Sequence, residues 1–264
     1  MSTRWLDRRE FLALAFGFLM GGAEAAGTGV RTWRSPYTAD VGILHDLFTF
    51  RVVGVVEENV DRGAGRYGVT IAGQGAKIAN RIESQGRLVR GRWAPVRSVA
   101  TFQVAGRESR SDVAYDWEAR TIEYHARAET FFLRRRRAVD DTVSIPPGQH
   151  VDDAVSVMLN HADGQWPVGP DGRQHTLVVR RRRADTEGPD DVEASYRAEL
   201  IPFALSVSTD AAGVTTAHID MTRFSSWARP DQPARVVFGP SGRPSHIASS
   251  LILGTSVAIR FANA

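Results

Sequence analysis

The 264-residue sequence contains no cysteine, and this absence excludes several classes of site. Without a thiol there is no disulfide, no thiolate nucleophile and no zinc site built on cysteine. Hydrophobic residues make up 42% of the chain, which is enough for a sizeable core at this length. We therefore expect the fold to be stabilised by packing rather than by cross-links.

Lysine is nearly absent as well, since Lys77 is the only lysine among 33 basic residues. The 30 acidic residues almost balance these bases, and the formal net charge is +3. So small an excess is a weak indication of a nucleic-acid partner. Aromatic residues are also not interleaved with the basic runs, as they are on surfaces that stack bases. The sequence therefore argues against nucleic-acid binding.

The common catalytic motifs are missing too: there is no HExxH pair, no G-x-S-x-G elbow and no G-x-x-x-x-G-K loop. The densest group of titratable side chains is His150, Asp152, Asp153 and His161. In a helix, the two aspartates would lie about two and a half turns from His161, too far for one metal ion. We therefore predict no metal site and no cofactor, and the sequence gives no support for catalysis. A hydrolase acting on an envelope polymer would require His150, His161 or His175 to meet an aspartate in a cleft.

The first 26 residues show the pattern of a secretory signal peptide, with a positive start, an apolar stretch and small residues at a cleavage site. Its paired arginines resemble the twin-arginine export signal, which carries proteins that have already folded. An ordinary signal peptide in which the two arginines occur by chance is the alternative. The residues that carry this prediction are Arg8, Arg9, Phe11, Leu12, Ala23 and Ala25.

No later stretch approaches the roughly 20 apolar residues of a membrane helix. We therefore expect residues 1–26 to be cleaved, the mature chain to lack a transmembrane segment, and the protein to be located in the periplasm.

Most of the mature chain reads as short strands separated by turns. In RYGVTIAGQG, for example, Tyr67, Val69 and Ile71 alternate with smaller or polar residues, which is the period of a strand. The short connections can close hairpins but leave no room for repeated crossover helices. We predict a mainly β fold, a curved antiparallel sheet or an incompletely closed β-barrel or sandwich. Residues 27–45 are interpreted as an N-terminal extension and residues 46–264 as a single β-rich domain, with a split near residue 150 as the alternative.

One segment departs from this pattern. In VDDAVSVMLNHA, residues 151–162, apolar side chains recur at helical spacing, and Asp152 or Asp153 stands where an N-cap acceptor is needed. The sequence therefore predicts one short helix inserted between two runs of strands.

Two runs of four arginines each follow an apolar segment, in FFLRRRR and LVVRRRR. Alternate side chains of a strand face opposite sides, so four in a row cannot all contact one ligand. One interpretation is a pair of solvated strand ends, with charges balanced by the aspartate pairs that follow. The other is an anion site at which two strand ends converge, because guanidinium groups bind phosphate and carboxylate. The residues of this predicted site are Arg134, Arg135, Arg136, Arg137, Arg180, Arg181, Arg182 and Arg183.

The spacing of Ser84, Gly86, Gly91 and Pro95 in ESQGRLVRGRWAP resembles the signature of a family of bacterial exported or periplasmic proteins, domain of unknown function three-one-zero-eight. The order of elements from Phe48 to Ile259 is similar as well. The resemblance implies an envelope location and a curved antiparallel β architecture. It implies no activity, and no catalytic or binding residue is carried over from it.

These observations favour a non-enzymatic cell-envelope protein whose curved sheet shelters an apolar or amphipathic anionic ligand, such as a lipid or a lipid-linked precursor. In an envelope the available anions are lipid phosphates and acidic glycans, so a lipid or an acidic glycan is the expected partner. The alternative is a structural or interaction protein that binds another envelope protein through edge strands or its basic surface.

Overall fold

The computed structural model describes residues 29–43, 48–104, 106–130, 133–182, 191–193, 195–224, 228–229, 231–251 and 255–262. The residues of the predicted signal peptide, together with Arg183, lie outside these ranges.

Within the described ranges the chain forms fifteen strands and one helix, α1. Their bounds are β1 Val30–Ile43, β2 Phe48–Asp61, β3 Arg66–Gly75, β4 Ile78–Val89, β5 Arg92–Val104, β6 Arg107–Asp116, β7 Thr121–Glu129, β8 Arg136–Ser144, β9 Val151–Asp152, α1 Ala154–Ala162, β10 Gln174–Arg181, β11 Ala198–Thr209, β12 Thr215–Ile219, β13 Ala234–Phe238, β14 Pro244–Leu251 and β15 Thr255–Phe261.

All fifteen strands belong to one sheet, in the order β8-β7-β6-β5-β4-β3-β2-β1-β15-β14-β13-β12-β11-β10-β9. Neighbouring strands are antiparallel except for β9, which runs parallel to β10. The sheet is curved and does not close into a barrel, because β8 and β9 remain at its two edges. The prediction of a mainly β, curved antiparallel and incompletely closed fold with one inserted helix is confirmed.

The sheet begins before residue 46, where the predicted β domain starts. Strand β1 lies inside the predicted N-terminal extension, 27–45, and pairs along its whole length with β2. It also pairs with β15, from Tyr37 opposite Phe261 to Gly42 opposite Ser256. Residues 30–43 therefore occupy the middle of the sheet, since the strands on both sides supply ladder partners.

Helix α1 begins at Ala154, slightly later than the predicted start, because Val151 and Asp152 first pair with β10. Asp153 is the N-cap, and its carboxylate accepts hydrogen bonds from the backbone N–H groups of Val155 and Ser156. The side chain of Ser156 accepts from Asp153 N in return, which completes a capping box.

Alternation along the strands directs one set of side chains into the concave side of the sheet, where α1 also packs. The larger hydrophobic cluster lies there and includes buried residues of β1 to β5, of α1 and of β10 to β15. A smaller cluster joins β6 and β7 to Ile145 and Val151. Strands β10 and β11 contribute to both clusters, with Val178 in the larger one and Val179 in the smaller one. Both faces of this pair of strands are therefore covered by the rest of the sheet.

Candidate functional site

The two arginine runs meet at the seam between edge strand β8 and strands β10 and β11. Arg137 and Arg181 are both buried. Nε of Arg137 donates to the carbonyl of Asp191 at 2.9 Å, and the hydroxyl of Tyr196 donates to the same carbonyl at 3.2 Å. The guanidinium of Arg181 lies 4.7 Å from the centre of the Tyr196 ring. One arginine of each run therefore joins a common cluster, as a convergence of strand ends requires.

The other arginines of the predicted anion site do not join this cluster. Nε of Arg134 donates to Glu129 at 3.1 Å. Arg180 forms a salt bridge of 2.7 Å with Glu199 on the neighbouring strand. The remaining described members are Arg135, Arg136 and Arg182, which are exposed. Most of the described arginines of each run are thus solvated or paired with a carboxylate.

A carboxylate of β8 completes the seam. Asp141 accepts hydrogen bonds from the backbone N–H of Ala198 at 2.8 Å and from the guanidinium of Arg197 at 3.0 Å. Burial would raise the pKa of Asp141, but these hydrogen bonds outweigh it and hold the pKa below its usual value. Side chains, rather than a backbone ladder, therefore connect the edge strand β8 to the start of β11.

Inside the curve lies a cavity of about 210 Å³, which we call the apolar cavity. It is bounded by the concave side of β4 to β7, by the start of α1 and by β10. Its apolar lining residues are Ile82, Ala100, Phe102, Val113, Tyr115, Tyr124, Ala126, Ala128, Ala154, Val157, Val178, Val179, Phe203 and Phe224. Walls of this composition exclude water from polar contacts and suit a hydrocarbon ligand.

The two ends of the apolar cavity differ in charge. At one end lie Asp152 and Asp153, and at the other Arg180 and Arg181. The register fixes this polarity, because Asp152 is opposite Val178 and the two arginines follow Val178 along β10. Arg110 and Arg127 also border the arginine end, but they alternate with inward-facing residues, so their side chains are exposed. The cavity is therefore charged at both ends, while its walls are mainly apolar and include Ser98, Ser109 and Ser111.

Asp153 is buried, and its two oxygens have separate roles. One caps α1, and the other accepts a hydrogen bond of 2.5 Å from the Ser84 hydroxyl, which lies 3.0 Å from the hydroxyl of Tyr67. Burial raises the pKa of Asp153, and the neighbouring charge of Asp152 adds to that shift. Burial likewise raises the pKa of Tyr67.

Asp152 is fully buried as well, but it is held by five polar side chains. One oxygen accepts from Ser156 at 2.7 Å and Asn160 at 2.8 Å and lies 3.3 Å from Nε2 of His150. The other accepts from Thr176 at 2.5 Å and Arg92 at 3.1 Å. Burial alone would raise the pKa of Asp152, but hydrogen bonding and charge from His150, with the charge of Arg92, leave it lowered.

Arg92, His150 and Thr176 are also part of a second hollow, of about 470 Å³, which we call the basic cleft. Its charged or titratable lining residues are Arg90, Arg92, Arg120, His150 and His175. No aspartate or glutamate occurs among its described lining residues. Asp152 therefore separates two chemically different spaces, the apolar cavity on one side and the basic cleft on the other.

Two imidazoles of the basic cleft are paired with aspartates. His150 stacks on Trp117 with ring centres 5.1 Å apart and contacts Asp152, while Nε2 of His175 lies 2.8 Å from Asp171. His161 contacts Gln174 instead, at 2.8 Å. A Ser-His-Asp triad needs a hydroxyl on the imidazole, and in the described residues no side-chain hydroxyl is hydrogen-bonded to either histidine of the cleft. The described arrangement can bind an anion, but it supplies no activated hydroxyl nucleophile.

The residues of the family-like signature lie around the hairpin of β4 and β5. Gly91 has φ 81° in its turn, and Gly86 lies against Tyr67, where a Cβ would be 2.4 Å from the ring. Pro95 is opposite Gly86 at a β-bulge, and its carbonyl accepts from Trp117 at 2.6 Å. Ser84 is the residue that touches Asp153. All four positions are thus explained by local packing or hydrogen bonding.

Arg90, Arg92 and Arg120 dominate the basic cleft and were not predicted from the sequence as site residues. A detectable signal was the Arg-Gly pair of RLVRGRW, because two residues between strands predict a tight hairpin turn. The turns of the β4–β5 and β6–β7 hairpins lie at one cleft because the sheet is curved, and no local sequence pattern predicts that curvature.

No family model matches the chain, and no curated protein matches it significantly. The resemblance to the exported family therefore stays a prediction. Among solved structures, a β-barrel-like protein of domain of unknown function DUF1849 from Brucella abortus is similar, with a TM-score of 0.41 and 9% identity over 90% of this chain and 98% of that chain. In the described part of the chain, no helix has the length and apolar character that a membrane span requires.

Proposed function

We propose that the protein is a non-enzymatic, periplasmic cell-envelope protein that binds one apolar chain with an anionic end in the apolar cavity. The observation that carries this proposal is the cavity itself: it has mainly apolar walls inside the curved sheet, with Ser98, Ser109 and Ser111 among them, and charged residues at its ends. A mainly apolar pocket with a few placed polar groups is the usual form of a small-molecule site.

The size of the cavity favours a single chain. Its 210 Å³ lies below the range of about 300 to 1,000 Å³ that is typical of sites for larger ligands. One acyl or isoprenoid chain, rather than a lipid with several chains, matches such a volume.

The arginine end supplies groups for an anion. Arg180 borders the cavity, although its guanidinium is shared with Glu199. An anionic headgroup at this end would compete with Glu199 for the guanidinium of Arg180.

Two variants test the cavity walls. Ala126→Leu adds three carbon atoms to a lining residue, whereas Ala114→Leu adds the same atoms on the opposite face of β6. We expect Ala126→Leu to weaken binding of dodecanoate, measured by displacement of a fluorescent fatty acid, by about tenfold or more, because an overfilled pocket loses over 1.4 kcal/mol. Ala114→Leu should bind like the unchanged protein.

Two further variants test the arginine end of the apolar cavity. Arg180→Gln leaves Glu199 unpaired beside the cavity, and Glu199→Gln leaves the guanidinium without its counterion. We expect the first to weaken and the second to strengthen binding of dodecanoate, while dodecanol, which has no charge, responds to neither. Failure of dodecanoate and dodecanol to bind at all would reject the ligand proposal and leave the interaction protein, with edge strands β8 and β9, as the better description.

A further inference from the structure

We propose that the basic cleft is a second binding site, which takes a phosphate group either as the free ion or as the headgroup of a larger molecule. The cleft and the apolar cavity have separate linings. This inference therefore does not depend on the function proposed above.

Charge is the first argument. Three arginines and two histidines border the cleft, and its described lining contains no carboxylate. Its volume of about 470 Å³ lies in the range of sites that hold small molecules, so an ion with an attached group has room there. Several guanidinium groups around one space match the several acceptor oxygens of a phosphate.

Backbone strain is the second argument. Arg90 and Arg120 lie at the tips of the hairpins β4–β5 and β6–β7, and both have left-handed φ angles, 52° and 56°. A side chain other than glycine, asparagine or aspartate is unfavourable in this region, and such residues cluster at functional sites. Two separate turns thus place an arginine in a strained conformation at the same cleft.

The turn that contains Arg90 is a tight two-residue turn, for which arginine is poorly suited. Arg90 and Gly91 are the two residues between the last pair of the ladder, Val89 and Arg92, and both have positive φ. Asn-Gly is the pair that such a type I′ turn favours. Arginine at this position therefore weakens the turn, and its guanidinium forms no hydrogen bond or ion pair within the described residues that would compensate.

Arg120 and Arg92 are held in place, as ligand-binding groups should be. Arg120 donates to the carbonyls of Ile145 and Pro146. Arg92 donates to Asp152 at 3.1 Å, while its Nε is buried without a hydrogen-bond partner in the described residues. A buried donor without a partner is unfavourable, and a ligand oxygen would satisfy it. The buried charge of Asp152 also offsets the repulsion between arginines that cluster in one cleft.

The test is calorimetric titration of the purified protein with inorganic phosphate and with glycerol 3-phosphate, at constant ionic strength. Arg90→Asn removes the guanidinium and at the same time installs the favoured Asn-Gly turn, so the variant should fold at least as well as the unchanged protein. Arg235→Asn is the matched control, since Arg235 is an exposed arginine on β13, outside the lining of the cleft.

We expect Arg90→Asn to weaken phosphate binding by roughly tenfold or more, which is the usual effect of losing a charge-assisted hydrogen bond. Arg235→Asn should leave it unchanged. Tighter binding of glycerol 3-phosphate than of phosphate would identify a headgroup, and equal binding would identify the free ion. The proposal is overturned if neither compound binds at millimolar concentration, or if Arg90→Asn binds phosphate as well as the unchanged protein.

Discussion

At the scale of single residues, Asp152 and Asp153 show how two neighbouring aspartates can have pKa values shifted in opposite directions. Both are buried at the start of α1. Asp152 is surrounded by donors that include Arg92 and His150, and its pKa is lowered, whereas Asp153 has neutral donors and its pKa is raised. The sequence predicts that one of them caps the helix, and Asp153 does so. It cannot predict the two environments, because the donors Ser84, Arg92 and Thr176 come from other elements, β4, β5 and β10.

The opposite pKa shifts predict opposite responses to removal of charge. A pKa that is raised on folding contributes stability at low pH that is lost as the pH rises, so Asp153→Asn should be more stable than the unchanged protein at pH 7. A lowered pKa contributes stability above the unfolded value, so Asp152→Asn should be less stable at pH 7. Both differences should shrink as the pH falls to 3.8 and below. Urea unfolding of the three proteins between pH 3 and pH 8 measures this, and destabilisation of both variants at pH 7 would refute the assigned directions.

At the scale of elements, alternation along the strands was sufficient to predict most of the sheet, and helical spacing was sufficient for α1. Strand β1 was missed because VRTWRSPYTADVGI contains a proline and several polar residues, which argue against a central strand. Pro36 lies just beyond Tyr37, the last residue of the ladder with β15; its carbonyl still accepts from the N–H of Ala262 at 3.0 Å, so its missing N–H costs a single bond at the end of that ladder. Strand β1 therefore forms because β2 and β15 supply hydrogen-bond partners on both sides, and not because its own composition favours a central strand.

Close packing within the β4–β5 hairpin gives a prediction with a matched control. A Cβ at Gly86 would lie 2.2 Å from the carbonyl of Ala94, whereas a Cβ at Gly68 would meet nothing within 4 Å. We expect Gly86→Ala to lower the free energy of unfolding by about 2 kcal/mol through overpacking. Gly68→Ala should be neutral or stabilising by about 0.5 kcal/mol, because it restricts the unfolded chain. Equal effects of the two changes in thermal unfolding would contradict this account of Gly86.

At the scale of the whole molecule, the open curved sheet was predictable, but its two hollows were not. Period-two patterns report which face of a strand is apolar and say nothing of how far a sheet curls. The convergence of Arg137 with Arg181 and of Arg90 with Arg120 depends on that curl. Neither the seam nor the basic cleft could therefore be identified from the two arginine runs, for which solvated strand ends and an anion site both remain predictions.

The seam offers a test of how the curl is maintained. Asp141→Ala leaves the N–H of Ala198 without its acceptor and removes the contact with Arg197. We expect a loss of about 1 to 2 kcal/mol in the free energy of unfolding and faster hydrogen exchange in β8. The control is Asp112→Ala, which breaks a salt bridge with Arg97 on the outer surface and should change stability by less than about 1 kcal/mol. Unchanged exchange in β8 of Asp141→Ala would show that the seam does not hold the edge strand.

The strand order also has a consequence for how the chain folds. Followed from β10 to β15 and then from β1 to β8, the sheet is a simple meander, in which each strand lies beside the next one along the chain. In the order of the chain, however, the first strand is β1, which lies in the middle of the sheet. Strands β1 to β8 can therefore pair with their neighbours in sequence as they form. The second neighbour of β1 is β15, which lies more than 200 residues later in the chain. Closing so long a loop is slow, because its entropy is lost before any contact is gained. Completion of the sheet, and of the hollows inside it, is therefore expected to be the last step of folding.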